Sequence, residues 1–386
     1  MGKTYDVIVI GLGGMGSTTA YQLAKRGQRV LGIEQFSPAH DQGSSHGGSR
    51  IYRQAYFEDP AYVPLLLRAY ELWEEIKRES GQELLTVTGG LMMGPPDSQT
   101  VAGSLKSARQ WNLPYETMDA AEVHKRFPVF TPSPNQVALY EKKAGFVRPE
   151  LSVYTHLVEA EKHGADLRFN EKVLSWEPHP SGEGVTVVTD SGTFEAGKLV
   201  VTAGPWSSQL LKDIGIQSSL EVERQIMIFF EPVGGVEPFR VGNFPIYVWE
   251  ADDYTQLYGF PSFGLRGEGA KVAFFRKGGI KCTPETIDRN VYPKEIDMLR
   301  EYLEQGMPSL SGRFLQAKTC MYTNTPDQHF IISKHPDFEQ VSVAAGFSGH
   351  GFKFASVIGE ILADLTIKGS TSLPIELFRP QRFVHR

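Results

Sequence analysis

Residues 5–34 read YDVIVIGLGGMGSTTAYQLAKRGQRVLGIE, and this stretch decides the fold. A short apolar run, Tyr5–Ile10, predicts a buried strand, and the glycines after it lead into a segment with helical periodicity that ends at Gly27. A second apolar run then closes at Glu34. Strand, glycine-rich turn, helix and strand in this order predict a βαβ unit with parallel strands, and therefore an α/β fold.

The glycine-rich turn has the spacing G-x-G-x-x-G, with Gly11, Gly13 and Gly16 at the glycine positions. Gly11 permits the tight turn, Gly13 lets a pyrophosphate approach the main chain, and Gly16 lets the helix pack close to the strand. The helix N-terminus offers free N–H groups to phosphates, and Glu34 can accept hydrogen bonds from a ribose while repelling a 2′-phosphate. The unit predicts a site for FAD or NAD rather than NADP; a glycine-rich turn without a ligand is the alternative.

The composition limits the classes of function. The chain has 386 residues, of which 41% are hydrophobic, and this length suggests roughly two domains. A formal net charge of -6 argues against a nucleic-acid-binding surface. The sequence shows no apolar stretch long enough to span a bilayer and no signal peptide. The only cysteines, Cys282 and Cys320, fit a reducing compartment, so we expect a cytoplasmic protein that binds neither membrane nor nucleic acid.

A second strand, glycine-rich loop and helix are predicted near the C-terminus, where the chain reads VSVAAGFSGHGFKFASVIGEILADL from Val341. The loop, which includes Gly349, would bring a second helix N-terminus towards the cofactor. Lys353 falls in the first turn of the predicted helix, where a cation is unfavourable. Lys353 is therefore either a solvated lysine on the helix surface or a residue whose function outweighs its local cost.

Residues 44–56 read SSHGGSRIYRQAY and form an irregular polar segment before a long predicted helix at about 61–79. The segment carries His46, Arg50 and Arg53 among glycines and serines. Loops of this composition tend to cover an anionic ligand, whereas the alternative is that the two arginines are solvated surface charges.

Five further blocks follow the first glycine motif in a characteristic order. They are S-x-HG-x-S-R-x-x-R from Ser44, GFVRPELSVY from Gly145, YGFPSFG from Tyr258, KTCMYT from Lys318 and GFSGHGFKFAS from Gly346. With these blocks, the sequence from Tyr5 to about Phe378 resembles the sarcosine oxidase and N-methyltryptophan oxidase family of FAD-dependent amine oxidases.

The resemblance implies an α/β fold with two domains. One would be a Rossmann-like FAD-binding domain of the D-amino acid oxidase and glutathione reductase type, and the other a substrate domain built on a mixed antiparallel sheet. We expect the FAD-binding domain to comprise residues 1–86, 145–216 and 323–386, and the substrate domain residues 87–144 and 217–322.

The resemblance also assigns contacts to the cofactor. Cys320 would form an 8α-S-cysteinyl thioether to FAD, although on sequence grounds alone a free cysteine is more often a small buried hydrophobe. Cys282 receives no role. The other cofactor contacts would come from Gly11, Gly13, Gly16, Glu34, His46, Ser49, Arg50, Val173, Gly204, Gly349 and Lys353.

Catalytic roles follow from the same resemblance. Arg53 and Lys353 resemble the pair that binds the substrate carboxylate, and Lys271 resembles the lysine that activates oxygen, a role suited to a fixed cation. Three further residues would line the substrate pocket, although His350 could equally be a structural histidine. These three are Tyr258, Tyr322 and His350.

The implied reaction is oxidation of an N-methyl or other secondary amino acid by hydride transfer to flavin N5. For sarcosine it would consume O2 and water and give glycine, formaldehyde and hydrogen peroxide. N-methyltryptophan, N-ethylglycine, L-proline and L-pipecolate remain alternative substrates. We expect a monomer without a metal. An NAD-dependent dehydrogenase would share only the first βαβ unit, and a non-catalytic flavin-binding subunit would share the fold.

One position departs from the family pattern. Four residues after Lys271, where the family usually has a substrate-facing histidine, this chain has Phe275. If Phe275 faces the pocket, an aromatic wall replaces a hydrogen-bonding group near the amine. We then expect a preference for a more apolar or cyclic secondary amine, or a weaker affinity for sarcosine.

Overall fold

The computed structural model describes residues 5–179, 182–211, 220–264 and 269–383. The expected domain boundary between residues 216 and 217 lies outside these ranges. The strands of the described part are β1 (Tyr5–Ile10), β2 (Val30–Ile33), β3 (Arg50–Tyr52), β4 (Leu85–Val87), β5 (Gly90–Gly94), β6 (Glu116–Asp119), β7 (Val137–Glu141), β8 (Gly145–Val147), β9 (Asp166–Arg168), β10 (Val173–Pro178), β11 (Val185–Thr189), β12 (Thr193–Val201), β13 (Glu221–Glu231), β14 (Ile246–Glu250), β15 (Gln256–Phe260), β16 (Ala270–Phe274), β17 (Ile280–Cys282), β18 (Arg313–Asn324), β19 (Ile331–Lys334) and β20 (Val341–Ala345). The helices are α1 (Gly14–Lys25), α2 (Val63–Ser80), α3 (Ser104–Gln110), α4 (Ala120–Arg126), α5 (Pro149–Lys162), α6 (Ser207–Leu210), α7 (Pro293–Gly306) and α8 (Ala355–Lys368).

The first sheet has eight strands and contains the predicted βαβ unit. Strand β1 pairs in parallel with β2 on one side and with β12 on the other, and β12 pairs in parallel with β20. Val7, Ile8 and Val9 of β1 are fully buried, as expected for a central parallel strand covered on both faces.

Helices α1, α5 and α8 pack together against one face of this sheet. The contact between α1 and α8 depends on Gly359, because a Cβ atom there would lie only 2.6 Å from the main-chain carbon of Thr18. Val357 and Ile361 of α8 join Val7 and Val9 of β1 in one apolar core. The two helices that follow the glycine-rich loops therefore lie side by side, with their N-termini beyond the carboxyl ends of the parallel strands β1 and β20.

The second sheet has nine strands and is mixed. Strand β13 pairs with β18 in antiparallel fashion over almost its whole length, and β14 pairs in parallel with β5. A third, small sheet joins β3, β4 and β8. The predicted α/β fold with a mixed second sheet is confirmed.

The two large sheets follow the expected division of the chain. Strands of the first sheet all come from segments expected to bind FAD, and those of the second from segments expected to bind substrate, except for the end of β18. Two expected boundaries, 86/87 and 322/323, fall inside β4 and β18. The division into two domains remains a prediction.

Residues 145–147 form β8, because they pair with β3 and β4, and α5 begins at Pro149, a residue suited to the first helical position. One local prediction was wrong. Lys353 lies in a single 3-10 turn, Phe352–Phe354, before α8 rather than in the first turn of the α-helix. The indole of Trp73 donates a hydrogen bond to the Lys353 carbonyl, so this carbonyl is satisfied from outside the helix.

Candidate active site

A single long cavity connects the two glycine-rich loops with the second sheet. Most residues predicted to contact cofactor or substrate line it: Gly11, Gly13, Glu34, Arg50, Arg53, Val173, Gly204, Tyr258, Cys320, Tyr322, Gly349, His350 and Lys353. Four others, Gly16, His46, Ser49 and Lys271, are buried outside its lining. Phe275 also lines the cavity, so the condition for the expected change in substrate preference is met.

The nucleotide end of the cavity is shaped by main-chain geometry. Gly11 has φ of 84°, a left-handed conformation that favours glycine. A Cβ atom on Gly16 would lie 1.7 Å from the Gly11 carbonyl oxygen, so only glycine lets α1 approach β1 this closely. At Gly13, by contrast, the nearest atom to an added Cβ is the Ser45 hydroxyl at 3.6 Å, which leaves open space over the helix N-terminus. This geometry fits a pyrophosphate.

Glu34 holds the first loop in place. Its carboxylate accepts hydrogen bonds from the main-chain N–H groups of Leu12 at 2.9 Å and Phe36 at 3.1 Å. Each carboxylate oxygen has a second lone pair, so the bonds to the loop leave capacity for a ribose hydroxyl. Val173 and Gly204 line the same end of the cavity.

At the other end, the polar segment after β2 is buried and held by side chains from distant elements. Glu150 of α5 accepts hydrogen bonds from the N–H groups of Gly47 and Gly48, at 2.6 and 3.1 Å. His46 and Ser49 are buried, and none of their side-chain polar atoms has a hydrogen-bond partner among the described residues. Orphaned polar atoms of this kind, beside a cavity, fit a polar ring such as a flavin.

Cys320 is buried in β18 opposite Gln225 of β13, and it lines the cavity. Burial raises the pKa of the Cys320 thiol, while the positive charges of Arg50 and Lys271 act in the opposite direction. Arg50 is fixed by donating hydrogen bonds to the carbonyls of Ser44 and Ser49, each at 3.0 Å. The structure thus places cations near the one cysteine that lines the described part of the cavity.

Lys271 is buried in β16 with its ammonium group close to the polar segment. Its Nζ atom donates hydrogen bonds to the carbonyl oxygens of Gly47 at 2.9 Å and Ser49 at 2.6 Å, and lies 4.0 Å from the centre of the Phe260 ring. Burial lowers the pKa of Lys271 well below its ordinary value, and the charge of Arg50 lowers it further. The two carbonyl acceptors favour the charged form.

Arg53 and Lys353 bring two cations to the substrate end, and both are buried. Lys353 Nζ donates a hydrogen bond to the His350 carbonyl at 2.7 Å. Burial lowers the pKa of Lys353 to about 7, and the charge of Arg53 acts in the same direction. The guanidinium of Arg53 lies over the Tyr56 and Phe57 rings, at 4.1 and 3.9 Å from their centres.

Glu58 also belongs to this site, although sequence reasoning missed it. Its Oε2 atom accepts a hydrogen bond from Arg53 at 2.6 Å, and its buried Oε1 atom has no partner among the described residues. Burial raises the pKa of the Glu58 carboxyl, but the charges of Arg53 and Lys353 outweigh it and bring the pKa down to about 2. A carboxylate in a polar loop, five residues after an arginine predicted to bind an anion, was the available signal.

His350 has both ring nitrogens occupied. Nε2 donates a hydrogen bond to the Gln328 carbonyl at 3.0 Å, so Nδ1 accepts one from the Tyr56 hydroxyl at 2.5 Å. Burial lowers the pKa of His350 to about 3, and this imidazole is neutral. Its bonding partners agree with the structural alternative, while its position also puts it in the wall of the cavity. Tyr258 and Tyr322 lie with Cys320 in one small apolar cluster in the cavity wall.

The described residues offer neither a metal site nor a membrane span. Their acidic, histidine and cysteine side chains form no group of three or more suited to a metal ion. Their helices are all too short or too polar to cross a bilayer.

Comparison with known proteins gives one consistent group of relatives. The family model of FAD dependent oxidoreductases matches residues 6–365. The chain is 57% identical to the monomeric sarcosine oxidase of Streptomyces avermitilis, covering 99% of this chain and 98% of that protein. It is 34% identical to the N-methyl-L-tryptophan oxidase of Yersinia pestis, covering 98% and 99%. The structure is similar to L-proline dehydrogenase from P. horikoshii, with a TM-score of 0.84, 25% identity and coverage of 99% and 98%.

These matches confirm the resemblance drawn from the sequence blocks. They also decide between the two dinucleotides that the first βαβ unit left open, because the matched family uses FAD. The chain belongs to the family of FAD-dependent oxidoreductases and, within it, to the group of the sarcosine and N-methyltryptophan oxidases.

Proposed function

We propose that the protein is an FAD-dependent oxidase of N-methyl and other secondary amino acids, with sarcosine as the first substrate to test. One observation carries the proposal: a buried pair of cations, Arg53 and Lys353, lies in the same cavity as the nucleotide-binding loop. The printed names of the relatives support the reaction class, since both the Streptomyces and the Yersinia proteins are named as oxidases of N-methyl amino acids.

The two cations suit the carboxylate common to these substrates. Arg53 can donate two parallel hydrogen bonds to a carboxylate, and Lys353 can add a third from its ammonium group. Glu58 already accepts a hydrogen bond from Nη2 of Arg53, so an incoming carboxylate must share or replace that contact. Burial strengthens these interactions because little water competes for the donors.

The same charges help the amine lose its proton. Positive groups close to an ammonium lower its pKa, so a substrate amine bound beside Arg53 and Lys353 is more easily neutralised. Both ring nitrogens of His350 are engaged in hydrogen bonds, so His350 lines the cavity but does not act as a base. A bound FAD would supply the two-electron redox chemistry that links oxidation of the substrate to reduction of O2. Tyr258, Tyr322 and Phe275 close the cavity around the reacting part of the substrate.

The roles of two buried residues belong to this proposal. Cys320 would hold FAD through a covalent thioether; its support is its place in the cavity wall with Arg50 and Lys271 near it. Lys271 would favour the reduction of O2, since a fixed cation stabilises the negative charge that oxygen gains. Its support is a buried ammonium held by two carbonyls beside the orphaned polar atoms of His46 and Ser49.

The proposal extends to the state of the molecule. We infer a monomer, supported by the name of the Streptomyces relative, and a cytoplasmic location, supported by the two unpaired cysteines. Size-exclusion chromatography with light scattering tests the first inference, and fractionation of expressing cells tests the second.

Two measurements test the proposed function. Acid precipitation should leave the yellow colour in the protein pellet, because a thioether survives denaturation, and Cys320→Ser should release it to the supernatant. Purified enzyme should release one hydrogen peroxide for each formaldehyde formed from sarcosine. A protein that holds FAD but oxidises no secondary amino acid would instead be the non-catalytic flavin-binding subunit.

Phe275 bears on which secondary amine is preferred. Its ring lines the cavity 6.3 Å from that of Tyr322, so we expect N-ethylglycine or L-proline to match or exceed sarcosine in kcat/KM. A strong lead for sarcosine in the same panel would contradict this expectation.

A further inference from the structure

Arg276 is a third cation close to the substrate end that none of the roles above uses. Its guanidinium carbon lies 4.3 Å from the centre of the Phe275 ring, and Phe275 lines the cavity. Its Nη2 atom is buried, and no oxygen of the described residues accepts a hydrogen bond from it. A buried guanidinium N–H without an acceptor is costly, because desolvation is not repaid by a bond within the protein.

The backbone departs from strand geometry at Arg276. Lys271 and Ala273 lie on one face of β16, which ends at Phe274, and Phe275 continues this alternation just beyond the strand. The next residue in an extended strand would point to the opposite face. Arg276 instead has φ of 68°, a left-handed conformation that is uncommon for arginine. The alternation breaks at this residue, and its guanidinium lies on the ring of its cavity-lining neighbour.

The charges near this end of the cavity do not balance. Glu58 is the carboxylate that lines the substrate end, and its bonded oxygen already serves Arg53. Burial lowers the pKa of Arg276 while the Glu58 charge opposes the shift, so the two groups influence each other, yet they form no ion pair within 4.0 Å among the described contacts. Among the described residues that line this end, Glu58 is thus the one carboxylate for the three cations Arg53, Lys353 and Arg276, while Glu141 acts on Arg53 from outside the lining.

We propose that Arg276 binds a second carboxylate of the substrate, so that the enzyme favours N-methylated dicarboxylic amino acids. Arg53 and Lys353 hold the α-carboxylate, and the side-chain carboxylate reaches Arg276 past Phe275 and Glu58, which both line the cavity. This rests on the proposed function and narrows its substrate class. Arg276 is a specificity-determining residue here, not a group that reacts.

Oxidation of such a substrate has the same stoichiometry as the oxidation of sarcosine. N-methyl-L-aspartate, O2 and water give L-aspartate, formaldehyde and hydrogen peroxide. A C–H bond of the methyl group breaks, its two electrons pass by way of FAD to O2, and water adds to the resulting imine carbon before the C–N bond breaks.

The test compares N-methyl-L-aspartate with N-methyl-L-asparagine, which has the same shape without the second charge. In the wild-type holoenzyme we expect kcat/KM to favour the aspartate derivative by about tenfold or more, the size of one charge-assisted hydrogen bond. Arg276→Met should lower this ratio by about tenfold. The matched control is Lys277→Met, which removes the neighbouring positive charge from a side chain bound to Tyr302 and should leave the ratio unchanged.

Binding without turnover gives a second readout. Methoxysuccinate and methoxyacetate carry an ether oxygen in place of the amine, and their dissociation constants follow from changes in flavin absorbance. Arg276→Met should weaken methoxysuccinate about tenfold more than methoxyacetate.

The outcomes separate the two proposals. If the wild-type enzyme oxidises sarcosine but treats the aspartate and asparagine derivatives alike, Arg276 has no such role and the proposed function stands. If Arg276→Met weakens every substrate and ligand equally, the residue is only a counter-charge for Glu58, and the inference is wrong. If the wild-type holoenzyme oxidises no secondary amino acid, the proposed function itself fails.

Discussion

The two ends of the cavity are built in different ways. At the nucleotide end, the shape comes from main-chain atoms of one short segment, Gly11 to Gly16, with Glu34 fixing the loop. At the substrate end, the working groups are side chains brought together from β3, the loop after it and the turn before α8. We therefore expect a substitution at the nucleotide end to abolish FAD binding entirely, and a substitution at the substrate end to lower substrate affinity or kcat/KM by degrees.

The largest expected effect is at Gly16. An added methyl group would lie 1.7 Å from the Gly11 carbonyl oxygen and 2.7 Å from the Thr202 hydroxyl, and backbone cannot retreat as a flexible side chain can. We expect Gly16→Ala to yield little or no FAD-loaded protein, measured as flavin absorbance per polypeptide and by circular dichroism. Gly192→Ala in the β11–β12 turn is the control, because its nearest neighbour would be 4.0 Å away. Full FAD occupancy in Gly16→Ala would contradict the view that main-chain geometry determines the nucleotide end.

The same difference explains what the sequence could predict. The βαβ unit and the second strand–loop–helix were predictable because spacing and hydrophobic periodicity over about thirty residues determine them. The pairing of Arg53 with Lys353 came only through family resemblance, since the two residues are 300 positions apart and nothing local in the sequence shows that they meet.

Glu58, Glu150 and Arg276 were missed for a related reason. Each is an ordinary charged residue in the sequence, and its importance comes from a contact: Glu58 with Arg53, Glu150 with the N–H groups of Gly47 and Gly48. Arg276 is recognisable only from a missing contact, the orphaned Nη2 atom. Partners and missing partners depend on the packed chain, which periodicity does not describe.

The second prediction tests the graded behaviour at Lys353. Lys353→Met keeps most of the side-chain volume but removes one of the two cations proposed to hold the carboxylate. We expect kcat/KM for sarcosine to fall roughly 100-fold, the upper range for a hydrogen bond to a charged group, while FAD content stays normal. Lys162→Met, at an exposed lysine of α5, is the matched control. Loss of FAD together with activity would show that Lys353 belongs to the cofactor end instead.

The third prediction concerns pH and the same lysine. Burial lowers the pKa of Lys353 to about 7, so in the ligand-free enzyme its positive charge is lost as pH rises through this value. Methoxyacetate has no group that titrates between pH 6 and 9, so any change in its affinity reports on the protein. We expect its Kd to be constant below pH 7 and to rise by up to about tenfold per pH unit above it. In Lys353→Met the dependence should disappear; a rise that persists there would assign it to another group.

The smallest expected effect is at a motif that is local in sequence and remote from the cavity. The sequence pattern MDAAEVHKRF predicts a capped helix, and the structure shows a complete capping box: Asp119 accepts a hydrogen bond from the Glu122 N–H at 2.8 Å, and Glu122 accepts one from the Asp119 N–H at 3.0 Å. Asp119→Ala should lower the free energy of unfolding by about 1 kcal/mol, measured by denaturant titration of the holoenzyme. Glu161→Ala removes an exposed carboxylate from α5 without touching a cap, and it should change the unfolding free energy by less than about 0.5 kcal/mol.

Neither variant should alter kcat/KM. The capping box is completed within four residues and stabilises only its own helix, whereas the substrate end is assembled from side chains that are distant in the sequence. A clear loss of sarcosine turnover in Asp119→Ala would show that the second sheet transmits local changes to the cavity. Local motifs and the site assembled from distant side chains would then not be independent of each other.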